Sequence, residues 1–234
     1  MTVKTPLVMV PGLLCTAELW RDQLQALDDV ADMTVPIFHQ HDNVEDIATE
    51  ILKNSPEKFA LCGLSMGGYI VLEIVLRAPE RVSHLALLDT RADADSPIDK
   101  KKRQDFIRLV EKGTTFKGVT QSLLPMLIHP DRFRDDDLTS RIFQMARDVG
   151  REGFIRQETA IMNRQDRNDE LGKIDCPTIV ISGNEDALIP APHQEGMAKL
   201  IPDAEFHIIS ECGHLPSMER PFETNTLLRD WLSW

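Results

Sequence analysis

The chain has 234 residues, 42% hydrophobic and 27% charged, which excludes a disordered polymer and suits one domain with a sizeable core. Lys and Arg number 26 against 38 Asp and Glu, a formal charge of −12, which disfavours nucleic acid and anionic membrane surfaces as partners. No run approaches the roughly 20 apolar residues of a membrane helix and no charged-then-apolar leader opens the chain, so a cytoplasmic protein is expected.

In chain order, Leu7 to Val10 reads as a short buried strand ending at Pro11-Gly12. Thr16 to Leu27 has a helical stripe of Leu19, Trp20, Leu24 and Leu27. A second strand is expected over Met33 to Phe38, then a helix over Val44 to Lys53 with Asn43 as its cap and Asp46 at the capping-box position. Phe59 to Leu64 reads as the third strand, Met66 to Leu76 as a helix stopped by Pro79, and His84 to Leu88 as the fourth strand. Strands are again expected over Thr178 to Ser182 and Glu205 to Ser210. Helices follow them, from about His193 to Leu200 and from about Pro221 to Trp234. Apolar runs alternating with helical patterns predict an α/β fold, a mostly parallel doubly wound sheet.

Between these blocks, residues 91–173 carry only helical periodicity, as at Phe106, Leu109 and Val110 or Ile142, Phe143 and Met145. The expected organisation is a core of residues 1–90 and 174–234, with 91–173 inserted after the fourth strand as a helical lid. Ligands of open parallel sheets sit at the carboxyl ends of the strands, so such an insert would roof the site.

Three short stretches carry chemistry. Gly63-Leu64-Ser65-Met66-Gly67 lies between an apolar strand and a helix. There a serine is held at the tip of a tight turn, and flanking glycines leave room where side chains would collide. A serine hydroxyl needs a base to take its proton, and His214 in Gly213-His214-Leu215-Pro216 follows the sixth strand at the same sheet edge. The base needs a carboxylate to orient it: Asp186 after the fifth strand is preferred, Glu185 is the reserve, and Asp89 at the end of the fourth strand competes. An oxyanion hole needs two backbone N–H groups, here expected from Met66 and from Leu13 in the loop after the first strand. Leu14, Cys15 and Arg91 are candidate substrate contacts.

Nothing in the sequence implies a cofactor. His39-Gln40-His41-Asp42 lacks the spacing of a zinc site, and no nucleotide-binding glycine motif occurs. Cys15, Cys62, Cys176 and Cys212 form no CxxC pair and are expected as reduced thiols.

The serine turn, Gly183-x-x-Asp186-x-x-x-Pro190 and Gly213-His214, in the order Ser65, Asp186, His214, resemble the α/β-hydrolase superfamily across essentially the whole chain. The subset it looks most like comprises small cytosolic esterases and lactonases with helical caps, and related lyases. The resemblance implies a Ser65–His214–Asp186 triad with Leu13 and Met66 as the oxyanion pair. The expected substrate is a small carboxylic ester or lactone, cleaved through an acyl-Ser65 intermediate. Triad-dependent lyase or carbon–carbon bond chemistry, and ligand binding without turnover, are the alternatives. Two departures stand out: Pro11 replaces a histidine common before the first-loop glycine, and the leading hairpin of larger members is missing. Oligomeric state is open from sequence.

Overall fold

Every strand lies parallel to its neighbours. In the computed structural model, which describes residues 4–113 and 115–234, six strands form one sheet in the order β2-β1-β3-β4-β5-β6. Strand β1 is Thr5–Val10, β2 Ala31–Thr34, β3 Phe59–Leu64, β4 Val82–Leu88, β5 Thr178–Gly183 and β6 Glu205–Ile209. The chain turns back at β1, which pairs with β2 on one side and β3 on the other. In parallel sheets such a reversal opens a crevice at the carboxyl ends.

Alternation along each strand explains why both faces are covered. On β3, Phe59 and Leu61 join one apolar cluster, while Ala60, Cys62 and Leu64 join the other. The helices are α1 (Arg21–Ala26), α2 (Val44–Asn54), α3 (Met66–Arg77), α4 (Pro97–Lys112), α5 (Leu124–Leu127), α6 (Asp136–Asn163), α7 (Ala191–Ala198), α8 (Pro216–Glu219) and α9 (Pro221–Trp231). Ile47 and Ile51 of α2, Ile70 and Ile74 of α3 and Met197 of α7 cover the first face; Leu228 and Trp231 of α9 cover the second with Trp20. No helix among the described residues is long and apolar enough to cross a membrane.

Several boundaries differ from expectation, each for a local reason. The second strand ends at Thr34 because Pro36 has no N–H to donate, and Ile37 beyond it is exposed. The first helix splits into a 3-10 turn, Ala17–Trp20, capped by Thr16, and the short α1. The last helix starts at Pro221 as expected and stops at Trp231; an unexpected single turn, α8, precedes it, set apart by Arg220, which stands before Pro221 and takes φ −131° and ψ 60°. Asn43 caps α2 by accepting from Asp46 N–H at 2.7 Å, but Asp46 answers with a bond from the Asn43 side-chain amide, not from its backbone.

Between β4 and β5 the described chain holds helices and turns only. Its longest member, α6, is two helices joined at Gly150, where φ 71° and ψ −178° break the ladder. A Cβ at Gly150 would meet nothing within 4 Å, so the backbone angle alone demands glycine there. Where this insert leaves and rejoins the sheet, Asp95 is buried and accepts from Arg91 (3.0 Å), Arg103 (2.5 Å) and Arg164 (2.6 Å). Burial opposes the Asp95 charge, but Arg103 and Arg164 overcome it and hold the carboxyl below its ordinary range. Glu158 of α6 closes the network on Arg103 at 2.7 Å.

Candidate active site

Ser65 sits between β3 and α3 with φ 54° and ψ −115°, a left-handed conformation that costs a non-glycine residue about 1 to 3 kcal/mol. Its surroundings over-determine it. Ser65 N–H donates to Leu88 O at 2.9 Å, and its carbonyl accepts from Thr90 Oγ1 and Gly68 N, both at 2.8 Å. A Cβ on Gly67 would lie 2.1 Å from Val10 O, and one on Gly63 2.5 Å from Gly67 O. Only bare backbone lets the turn press so closely on β1, which is why glycines flank the serine at two-residue spacing. Ser65 itself stays half-buried at the start of α3, whose first amides have no ladder partner.

The loop after β1 runs alongside. A Cβ on Gly12 would come within 3.4 Å of Ser65 Cβ. Residues 12–15 form a turn closed by Cys15 N–H on Gly12 O at 3.1 Å, with Leu14 at φ 59°. Among the described residues, neither Leu13 N–H nor Met66 N–H has an intramolecular partner, so both are free to donate. Cys15 is buried, its thiol pushed up to about 12 by desolvation, and its Sγ donates to Leu13 O at 3.4 Å. That thiol is a neutral packing group beside the loop.

The histidine loop follows β6. His214 is buried, and its Nδ1 lies 2.8 Å from Asp186 Oδ2. The other oxygen, Asp186 Oδ1, accepts from Leu188 N at 2.8 Å and Ile189 N at 3.0 Å. Burial would raise the Asp186 pKa, but the His214 imidazole and the Ile189 N–H outweigh it and hold the carboxyl below its usual value. Glu185 turns outward, its carboxylate accepting from Cys212 N at 2.9 Å. Of the three carboxylates left open by sequence, Asp186 is the one hydrogen-bonded to the imidazole. Ser65 Oγ and His214 Nε2 stand at the same sheet edge without a hydrogen bond between them. Apo hydroxyl–imidazole pairs often close only around a bound substrate.

Asp89 is more than a solvated strand end. It is fully buried; Oδ1 accepts from Gly183 N (2.9 Å) and Gln194 Nε2 (3.2 Å), while Oδ2 has no partner. Burial, and then the charge of Asp186, raise its pKa well above the ordinary value. An unfolded aspartate ionises near 3.8, whereas the folded one keeps its proton to higher pH. Unfolding therefore releases a proton, and this group's contribution to stability falls as pH climbs above about 4. Asp89→Asn keeps the accepting oxygen and removes the ionisation. Its urea midpoint, measured from pH 4 to 8, should gain steadily on the wild type as pH rises, and parallel curves would show that Asp89 titrates normally.

Asp89, Asp186 and His214 also bring possible metal-ligand atoms within 4.8 Å of one another, the one such group among the described residues. The donor set fits a cation poorly. Asp186 Oδ1 and Asp89 Oδ1 already accept backbone N–H groups, and the third atom is an imidazole nitrogen engaged with Asp186.

Sequence reasoning overlooked Glu219, which builds the histidine loop. Its Oε1 accepts from Gly213 N (3.0 Å) and Leu215 N (3.1 Å), and its Oε2 from His129 N (2.6 Å). Burial raises its pKa, and these N–H groups pull against that. The sequence offered no signal for it, since no helix is expected over residues 216–219 and its partners lie in two separate loops. Packing beneath the loop is equally tight: a Cβ on Gly183 would lie 1.9 Å from Gly213 O and 2.6 Å from Cys212 O. Gly183→Ala must displace the loop carrying His214, and a loss of about 3 kcal/mol, roughly 10 °C in melting temperature, is expected. An unchanged thermal melt would mean that the loop yields freely.

Arg91, three residues past the end of β4, is held by carboxylates of its own segment. Its guanidinium is engaged with Asp93 at 3.3 Å and Asp95 at 3.0 Å where the insert begins. Leu14 packs with Ala146, Val149 and Phe154 of the insert, joined by Leu13 and Phe116, in an apolar cluster over the loop after β1.

Known proteins resemble this chain in sequence and fold. An esterase from Thermogutta terrifontis, solved with malate, superposes with a TM-score of 0.87 at 29% identity, covering 99% of this chain and 90% of the esterase. RutD of Yersinia enterocolitica, whose name proposes carbamate hydrolysis, is 26% identical over 96% of this chain and 86% of its own length. A 2-hydroxy-6-oxononadienedioate/2-hydroxy-6-oxononatrienedioate hydrolase of Paraburkholderia phymatum is 27% identical over 75% of this chain and 62% of its own. All three relatives are named for hydrolysis. The pattern of the alpha/beta hydrolase fold matches residues 34–221, well over half the chain, and the protein belongs to that family.

Proposed function

We propose that this protein is a serine hydrolase of small carboxylic esters or lactones, with Ser65 as nucleophile, His214 as base and Asp186 as the group that orients the base. The carrying observation is the 2.8 Å His214–Asp186 bond at the sheet edge where Ser65 is held in its left-handed turn. Ser65 Oγ attacks the ester carbonyl while His214 Nε2 takes the hydroxyl proton. Leu13 N–H and Met66 N–H receive the oxyanion, and Asp186 stabilises the imidazolium. Collapse expels the alcohol, which leaves with the proton from His214. Water then attacks the acyl-Ser65 ester as His214 takes its proton, and His214 passes that proton to Ser65 Oγ as the acid departs. Residues 91–173 act as the cap that excludes bulk water from these steps.

The wall above the oxyanion loop favours esters over dianionic carbon–carbon substrates. It is made of Leu13, Leu14, Val149, Phe154 and Phe116. Arg91, Arg103 and Arg164, where the insert joins the core, each pair with Asp95. The test is pre-steady-state kinetics with 4-nitrophenyl butanoate. A burst of 4-nitrophenolate equal to the enzyme concentration, with the acyl group recovered on Ser65 after acid quench, is expected. Release without any acyl-enzyme, or no release, rejects the assignment.

A further inference from the structure

Gln157 lies on α6 beyond the Gly150 kink and is fully buried. Its Oε1 accepts from Leu14 N–H at 2.9 Å, a contact between residues 143 apart in sequence. A backbone N–H requires the carboxamide oxygen as acceptor, so the orientation of this amide is settled and the NH₂ end is the free one. That Nε2 has no hydrogen-bond partner. Among the described residues eight buried side-chain atoms share this condition, and Gln157 is the one of them whose side chain also holds the loop following β1. A buried donor without an acceptor is costly, and where one persists a ligand is a natural source of the missing oxygen.

The setting sharpens this. Leu14, which Gln157 holds, packs in the apolar cluster with Phe154, Val149 and Leu13, so the free NH₂ is a polar point beside an apolar wall. Two residues before Leu14, Gly12 abuts Ser65. Binding pockets orient ligands through a few polar groups set among hydrophobic ones.

We propose that Gln157 is a specificity-determining residue: its Nε2 donates to an acceptor oxygen of the substrate outside the scissile carboxyl group. Esters carrying an ether, hydroxyl or carbonyl oxygen in the acyl or alcohol half are then preferred to their hydrocarbon counterparts. This inference rests on the ester-hydrolase reading above.

Two pairs of nearly isosteric esters test it. 4-Nitrophenyl methoxyacetate against 4-nitrophenyl butanoate places the extra oxygen in the acyl half; 2-methoxyethyl acetate against butyl acetate places it in the alcohol half. The readout is the ratio of kcat/KM, oxygen to hydrocarbon, in wild type and in Gln157→Met. Losing the Leu14 bond slows both members of a pair together and cancels in the ratio. A fall of about tenfold in that ratio in the variant is expected in one pair, which identifies the half recognised. Equal ratios in wild type and variant for both pairs overturn the proposal.

Should Gln157→Met fail to fold by thermal melt, the wild type alone decides. Its ratio, divided by the ratio of the hydroxide rate constants, should exceed one by about tenfold in one pair, and a value of one in both overturns the proposal. A serine-reactive phosphonate distinguishes the two levels of failure. Labelled Ser65 without discrimination sinks only the role of Gln157, whereas unlabelled folded protein that turns over none of the four esters sinks the hydrolase reading with it.

Discussion

Ser65→Ala is expected to lower kcat for 4-nitrophenyl butanoate by about 10⁵- to 10⁶-fold, because no other hydroxyl can take the place held by this turn. Alanine and serine suffer alike at φ 54°, and the bonds that clamp the turn use the backbone of residue 65 and not its hydroxyl. The variant should therefore melt within a few degrees of the wild type, so the loss reads as chemistry. The N–H groups of Leu13 and Met66 remain, and some acceleration over solvent survives from them. Turnover above about one per cent of wild type, measured by nitrophenolate release, would remove Ser65 from the mechanism.

The second large effect separates the two buried aspartates. Asp186→Asn retains an oxygen for the Leu188 and Ile189 N–H groups but puts an NH₂ where Oδ2 faces His214 Nδ1. Two donors then oppose each other, and the imidazole is driven to the tautomer that cannot accept the Ser65 proton. A fall of about 10⁴-fold in kcat follows, with little change in melting temperature. Asp89→Asn should cost less than about tenfold, since Asp89 hydrogen-bonds Gly183 N and Gln194 and already keeps its proton above the usual pH. Steady-state kinetics of both variants decide between them. If Asp89→Asn is the crippled variant, the orienting carboxylate is Asp89 and the chemistry must be redrawn around it.

Much of this architecture was legible locally. Phe59–Leu64 appears as the third strand with the expected bounds, because a continuous apolar run before Gly-x-Ser-x-Gly has no other stable solution than a buried central strand. The second strand was misread by following apolar character past Pro36, where the missing N–H decides. Gln157 carried no signal at all: a glutamine within a helical stretch is ordinary until a loop 143 residues away offers its N–H. Glu219 was likewise silent, because the N–H groups it accepts from come together only in the folded loops.

By itself the amino-acid order determined the alternation of strands and helices, the glycine-flanked serine turn and the chain order of Ser65, Asp186 and His214. Those features depend on side-chain periodicity and on glycines whose neighbours lie a few residues away. The hydrogen bond between His214 and Asp186, the burial that raises the Asp89 pKa, and the capture of the Leu14 amide by Gln157 were decided by tertiary structure alone. Each depends on which groups lose water together when distant segments pack, and desolvation is a property of the folded neighbourhood, which adjacent residues do not specify.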